Sequence, residues 1–202
     1  MSRKKLFLLA LIATLPATAL SAQSGPQGQW TFRTRALISG QSHGSDPTGY
    51  KMYSGISIGA AISRRFSRVV SAELGVRTES REVDQAAASG PDLRLGSLEM
   101  IPLTLLVQVQ PSVRGSLHPY VGAGAALTVG WEKSGALDNL DVSPGFGPAL
   151  QVGVDWFLSP GAFLNLDAKW NGLSTDIGSG GTRIATFHVD PMTLGFGVGF
   201  RF

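Results

Sequence analysis

The chain has 202 residues, of which 43% are hydrophobic and only 15% are charged, and its 26 glycines follow no collagen-like period. It contains no cysteine, which excludes a disulfide, a thiolate metal site and a cysteine nucleophile. The formal net charge of +3 comes entirely from three cations near the start, Arg3, Lys4 and Lys5. The chain beyond residue 22 is therefore neutral, and its net charge gives no argument for nucleic-acid binding.

The first 22 residues have the pattern of a signal peptide. Cations at 3–5 precede an apolar run over 6–15, and small residues then offer a cleavage site before Gln23. The apolar run is shorter than the ~20 residues that a membrane-spanning helix needs, which disfavours an uncleaved anchor. We therefore expect residues 1–22 to be removed after export and residues 23–202 to form one barrel domain.

Alternation with period two dominates the remaining chain, and no later segment is apolar for the length of a membrane helix. In the clearest case the bulky residues from Met192 to Phe202 share one face, while Thr193, Arg201 and glycines share the other. The same alternation predicts eight strands, at 30–38, 52–62, 70–77, 103–110, 120–131, 146–157, 162–170 and 192–202. The predicted connections alternate in length: short ones near 63–68, 111–118 and 158–161, and long ones near 39–51, 78–97, 132–145 and 171–187.

An eight-stranded barrel can be soluble or can cross a membrane, and the placement of the bulky residues separates these classes. The faces opposite the bulky residues carry mainly glycine, alanine and threonine, which would make a poor solvent coat but suit a crowded interior. The sequence therefore predicts an all-β, antiparallel transmembrane barrel of the outer-membrane type, with short periplasmic turns and longer extracellular loops. Its first and last strands should pair, because a sheet edge in lipid would leave backbone groups without hydrogen bonds.

The charged residues on the inward faces form the candidate site. Both signs are present, which favours a salt-bridged network that fills the barrel, and the alternative is a polar constriction with selectivity. By parity, the lumen-facing charges are Arg33, Arg35, Glu73, Arg77, Asp155, Asp167, Lys169 and Arg201.

The four tryptophans all fall at predicted strand ends. Trp30 and Trp156 lie at the periplasmic rim, and Trp131 and Trp170 lie at the extracellular rim. An indole ring is apolar but its N–H needs a polar partner, so this placement predicts two aromatic girdles at the membrane surfaces.

Several runs in the second half of the chain resemble the outer membrane protein W (OmpW) family. They are Leu103-Thr104-Leu105, the run from His118 to Gly124, the run from Gln151 to Asp155, Asp190-Pro191, and the terminal Gly199-Phe200-Arg201-Phe202. Phe202 by itself is shared by many outer-membrane barrels, whose last strand serves in assembly.

The resemblance implies an eight-stranded outer-membrane barrel with a channel or a lateral exit for small hydrophobic molecules, and some family members serve as colicin receptors. The expected partners are outer-membrane lipids and lipopolysaccharide, small hydrophobic solutes, and the barrel-assembly machinery.

Two other functions remain open at this point. A structural or surface-interaction barrel with a closed lumen would need no solute path. A lipid-modifying enzyme would need a nucleophile, a base and an orienting acid in mutual reach, whereas the three histidines, His43, His118 and His188, are scattered. We therefore expect no enzymatic activity, cofactor or metal site.

Overall fold

The computed structural model describes residues 30–39, 42–43, 50–52, 55–85, 93–111, 115–133, 141–142, 144–179, 182–189 and 192–202. The predicted signal peptide lies outside these residues. Within them, no helix is long and apolar enough to cross a membrane.

The described residues form strands β1 (Trp30–Ser39), β2 (Ser42–His43), β3 (Tyr50–Met52), β4 (Ile56–Arg65), β5 (Val70–Gln85), β6 (Leu93–Val109), β7 (Leu117–Lys133), β8 (Asp141–Val142), β9 (Gly145–Phe157), β10 (Ala162–Asn171), β11 (Leu173–Ser179), β12 (Thr182–Val189) and β13 (Met192–Arg201).

Eight long strands close a barrel by antiparallel pairing in the order β1-β4-β5-β6-β7-β9-β10-β13. The last strand returns to the first, with Thr31 opposite Arg201 and Ser39 opposite Thr193. The predicted fold class and the pairing of the terminal strands are confirmed.

The apolar face of each long strand points away from the barrel axis. Ile38, Leu105 and Phe196 lie on this outer face and are 61%, 60% and 58% exposed. Their strand neighbours Leu37 and Thr104 are buried inside. This arrangement is the one that a hydrocarbon solvent favours, because apolar side chains face the lipid and closure of the sheet leaves no free edge.

The two ends of the barrel differ. At the short-turn end, tight turns at 66–69 and 158–161 join β4 to β5 and β9 to β10. At the opposite end, the strands run on: β5 continues to Gln85, β6 begins at Leu93, and β11 pairs with β12 as a hairpin.

This end differs from the sequence-based expectation of loops at 78–97 and 171–187, and β4 begins at Ile56 rather than at residue 52. The alternation could not reveal these extensions because residues such as Glu79, Arg81 and Glu82 put polar groups on both faces. Above the apolar band a strand needs no hydrophobic side.

Two glycines make room for aromatic rings inside the barrel. A Cβ on Gly199 would overlap the ring of Phe163, and a Cβ on Gly153 would lie 2.5 Å from the hydroxyl of Tyr120. Phe163 and Tyr120 are almost fully buried in the lumen. The small residues of the inner face therefore provide the volume that the large inward side chains occupy.

Candidate functional site

A buried ionic cluster fills the middle of the lumen and the part below it toward the short turns. Glu73, from β5, lies at its centre and is fully buried. Two strands, β1 and β10, direct three cations at it, and the two arginines on β1 give the carboxylate charge-assisted hydrogen bonds. The cluster, named the lumen plug from here on, comprises Arg33, Arg35, Glu73, Gln108, Tyr120, Gln151, Asp155, Phe163, Asn165, Asp167 and Lys169.

Arg33 joins two carboxylates across the barrel. Its Nη1 lies 3.1 Å from Oε2 of Glu73. Its Nε and Nη2 donate to the two carboxylate oxygens of Asp155 at 3.3 and 2.7 Å, the side-on fork in which a guanidinium binds a carboxylate bidentately. Nη1 also donates to Ser63 Oγ at 2.7 Å, so this one side chain links β1, β4, β5 and β9.

Arg35 lies above Arg33 on the same face of β1. Its Nη2 is 3.2 Å from Oε2 of Glu73, and its Nε donates to Oδ1 of Asn165 at 2.7 Å. The same Nε lies 3.3 Å from Oδ2 of Asp167. The second carboxylate oxygen of Asp167 is buried without a hydrogen-bond partner.

Neutral groups complete the plug. Asn165 donates to Oδ1 of Asp155 at 2.8 Å and to the Tyr120 hydroxyl at 3.0 Å, while Gln108 donates to Oε1 of Gln151 at 2.9 Å. Burying ions is costly unless each has partners, and here every buried carboxylate is paired. The plug therefore fills the lumen toward the short-turn end with paired polar side chains.

Two predicted lumen cations lie outside the plug. Arg77, above it, donates from Nε and Nη2 to Oε2 of Glu79 at 3.2 and 2.8 Å, and from Nη1 to Thr193 Oγ1 at 3.1 Å. Arg201, below it, stacks on the ring of Phe157 at 4.3 Å, and its buried Nε and Nη2 have no hydrogen-bond partner. All eight predicted charges are directed inward, but Arg201 is not joined to the ionic network.

The hydrogen-bond ladder of the barrel wall is weakened beside the upper edge of the plug. The β5–β6 ladder pairs Val76 with Leu103 and resumes in the same register at Glu79 and Met100. The intervening residues, Arg77 and Thr78 on β5 and Ile101 and Pro102 on β6, remain in their strands but are not paired with each other, because proline has no N–H to donate to a ladder. A similar break flanks Pro148, between the pairs Asn171–Ala149 and Ser174–Phe146. The break at Pro102 is named the wall gap.

A cavity of about 20 Å³ lies inside the wall gap, large enough for a group the size of one water molecule. Its lining combines the cations Arg35, Arg77 and Lys169 with Thr104 and with six apolar or small residues: Leu37, Gly59, Ala60, Gly75, Val76 and Pro102. Because Pro102 lines it, the cavity lies directly beside the wall gap.

The tryptophans lie at or near the strand ends. Trp30 and Trp156 point outward near the short-turn end, with the Arg64 guanidinium 5.4 Å from the Trp30 ring centroid, and Trp170 points outward near the opposite end. Trp131 lies in β7, but its side chain is outside the described part of the structure. Phe202 exchanges backbone hydrogen bonds with Trp30 at 2.9 and 3.0 Å.

The histidines do not form a catalytic group in the described region. His118 stacks edge-on against Phe157 at 4.8 Å, and its Nε2 is 3.2 Å from the carbonyl oxygen of Gly115. His43 and His188 lie in β2 and β12, and their side chains are outside the described residues. Among the side chains that the structure describes, no three potential metal ligands cluster.

Sequence reasoning missed the neutral members of the plug and the wall gap. Asn165, Gln108 and Gln151 lie at inward positions, but only the charged residues at such positions were predicted to belong to the site. A large polar residue on the inner face of a narrow barrel is a usable signal, because it must find a hydrogen-bond partner. Pro102 inside a predicted strand was a second signal, since proline removes a ladder donor.

A closed β-barrel with an apolar exterior and an ionic interior is an outer-membrane β-barrel. A sequence profile of the OmpW family matches residues 36–202, and the chain belongs to this family. By the usual orientation of such barrels, the short turns are periplasmic and the extended strands are extracellular.

Individual relatives are similar in sequence and in fold. The chain is 32% identical over 148 residues to the outer-membrane protein y4mB of Sinorhizobium fredii, a match that covers 70% of this chain and 63% of that protein. It is 30% identical over 120 residues to the dibenzothiophene metabolism operon protein PahQ of Pseudomonas aeruginosa, covering 57% of each chain. The crystal structure of the outer membrane protein OprG from Pseudomonas aeruginosa superposes with a TM-score of 0.70 at 21% identity, covering 87% of this chain and 96% of OprG.

Proposed function

We propose that this barrel passes small hydrophobic molecules from its extracellular end through the wall gap into the outer membrane. The observation that carries the proposal is the interruption of the β5–β6 ladder at Pro102, directly beside a cavity and above a filled lumen. A solute that enters from above meets the plug in its path, whereas the side path leads into hydrocarbon. The lateral path also spares an apolar solute from crossing a polar lumen.

The relatives give the proposal a chemical direction. PahQ is named for the metabolism of dibenzothiophene, a hydrophobic aromatic compound, and this chain is similar to it over 120 residues. The match covers only part of each relative, so the class of solute is our proposal and is to be tested on this chain.

The test uses vesicles whose outer leaflet contains lipopolysaccharide, which slows the direct penetration of apolar solutes. Uptake of a fluorescent polycyclic aromatic hydrocarbon is measured with the wild type, with Pro102→Ala and with Pro119→Ala. Alanine at position 102 restores an N–H and should close the ladder, so uptake should fall severalfold. Pro119 is exposed and is paired with Val154 in a continuous stretch of the β7–β9 ladder, so its variant should match the wild type.

Two outcomes contradict the proposal in different ways. Equal uptake by wild-type and protein-free vesicles would exclude transport and favour the alternative, a structural or surface-interaction barrel, which the buried ion pairs of the plug also support. Equal uptake by the wild type and Pro102→Ala would exclude the wall gap as the route. We propose no enzymatic activity.

The outer surface supports a second part of the proposal. Trp30 and Trp156 at one rim and Trp170 at the other would contact membrane lipids as girdles, with lipopolysaccharide on the extracellular side. Strand β13, which ends beside Phe202, would serve as the segment recognised by the barrel-assembly machinery.

A further inference from the structure

The cavity inside the wall gap has an uneven distribution of charge. Arg35, Arg77 and Lys169 all line it, and none of the described residues that line it is acidic. The carboxylates that pair with these cations, Glu73, Glu79 and Asp167, are not among the residues that line the cavity. A buried space of this kind favours a group with negative charge or a hydrogen-bond acceptor.

The three cations differ in the lengths of their hydrogen bonds and ion pairs within the protein. Arg35 and Arg77 donate hydrogen bonds as short as 2.7 and 2.8 Å within the protein. Lys169 has only longer contacts: its Nζ is 3.5 Å from Thr104 Oγ1 and 3.7 Å from Oε1 of Glu73. An ammonium group carries three donors, and a buried one gains by binding a nearer acceptor. Lys169 is therefore the cation of the cavity that is most available to a ligand.

The rest of the lining is mostly apolar and small. It includes Gly59, Ala60, Val76 and Pro102, the last of which lies at the wall gap. A Cβ on Gly75 would lie 2.7 Å from Thr104 Oγ1, so the cavity depends on the small residue there. The space admits one polar group rather than a whole solute, and the rest of a bound molecule would extend through the wall toward lipid.

We propose that the cavity binds the carboxylate of an amphipathic solute, with Lys169 as the anchoring cation and the apolar tail in the wall gap. This inference rests on the proposed lateral path and names a class of solute for it: hydrophobic acids, such as medium-chain fatty acids. One carboxylate oxygen fits the cavity, and the neighbouring apolar residues match the first carbons of the chain.

The experiment uses the full mature chain in lipid nanodiscs. Binding of carboxyl-labelled decanoate is followed by NMR, and the alcohol decanol serves as the neutral counterpart. Lys169→Met should weaken decanoate binding about tenfold, the loss expected for a charged hydrogen bond, and should leave decanol binding nearly unchanged. Lys169→Arg, which keeps the charge, should retain most of the decanoate affinity.

Arg201→Met is the matched control because it removes a lumen cation at the other end of the barrel. Arg201 touches Phe157 and does not line the cavity, so its variant should bind decanoate as the wild type does. Folding of each variant is checked by its heat-dependent migration on a gel. Removing the Lys169 ammonium leaves Glu73 paired with both Arg33 and Arg35, so the variant should fold.

The outcomes separate this inference from the proposed function. If Lys169→Met weakens decanoate and decanol equally, or leaves decanoate unchanged, the inference is overturned, even if the wild type passes neutral hydrocarbons. If decanoate binding depends on Lys169 but no solute crosses the vesicle wall, the binding site stands and the transport proposal fails.

Discussion

Most buried polar groups of the lumen plug make hydrogen bonds, whereas several in the space above it make none within the described protein. This space, which contains the side chains of Ser39, Ser57, Thr128 and Asn171, is named the upper lumen. Strand β10 supplies a matched pair: Asn165 in the plug accepts from Arg35 and donates to Tyr120 and Asp155, whereas neither amide atom of Asn171 has a hydrogen-bond partner. Both side chains are almost fully buried. The buried hydroxyls of the upper lumen without a partner are those of Ser39, Ser57 and Thr128.

This difference fits the proposed function. An ionic network in which each charged residue has a partner is rigid, because losing any member leaves the others unpaired. In the upper lumen several buried polar atoms make no hydrogen bond within the described protein, so they are open to water or to a solute. Under the proposal the plug would be the floor below the path, and the upper lumen would be where a solute enters.

The largest expected effect is at the centre of the plug. Glu73→Gln would leave Arg33, Arg35 and Lys169 with a weaker acceptor in a buried site, and should reduce the free energy of unfolding by roughly 3–5 kcal/mol. The measurement is urea unfolding in lipid vesicles, with Arg68→Gln, in an exposed turn, as the control. A loss below about 1 kcal/mol would show that the plug is not a cooperative unit.

Asn165→Leu should have an intermediate effect. The leucine has a similar volume but leaves the Arg35 Nε without its 2.7 Å acceptor and Tyr120 without its donor, so stability should fall by about 2 kcal/mol. The same unfolding assay applies. If the loss matches that of the equivalent change at Asn171, the contrast between the two halves is wrong.

The smallest effect is expected from Asn171→Leu. No protein hydrogen bond is lost, and the neighbouring buried cluster of Leu106, Ala126, Ala149 and Leu173 is apolar. Stability should change by less than about 0.5 kcal/mol or increase. A large destabilisation would show that the amide is satisfied in the membrane-bound protein, for example by an ordered water.

Sequence reasoning reached the strands of the barrel but underestimated their length. The alternation of Leu194, Phe196 and Val198 with glycines was sufficient for strand β13, because lipid enforces an apolar outer face. Beyond the lipid this constraint disappears, so the extracellular parts of β5 and β6 had no comparable signal.

Parity along a strand is a local property, so the sequence was enough to identify the residues that face inward. It predicted Arg33, Glu73 and Asp155 on inner faces, and their side chains are buried in the barrel. The tertiary structure was needed to show that Arg33 bridges Glu73 and Asp155, that Arg201 has no carboxylate partner among the described residues, and that the ladder lacks a pairing at Pro102. Those facts depend on the register between strands and on barrel closure, which bring together residues that no sequence periodicity connects.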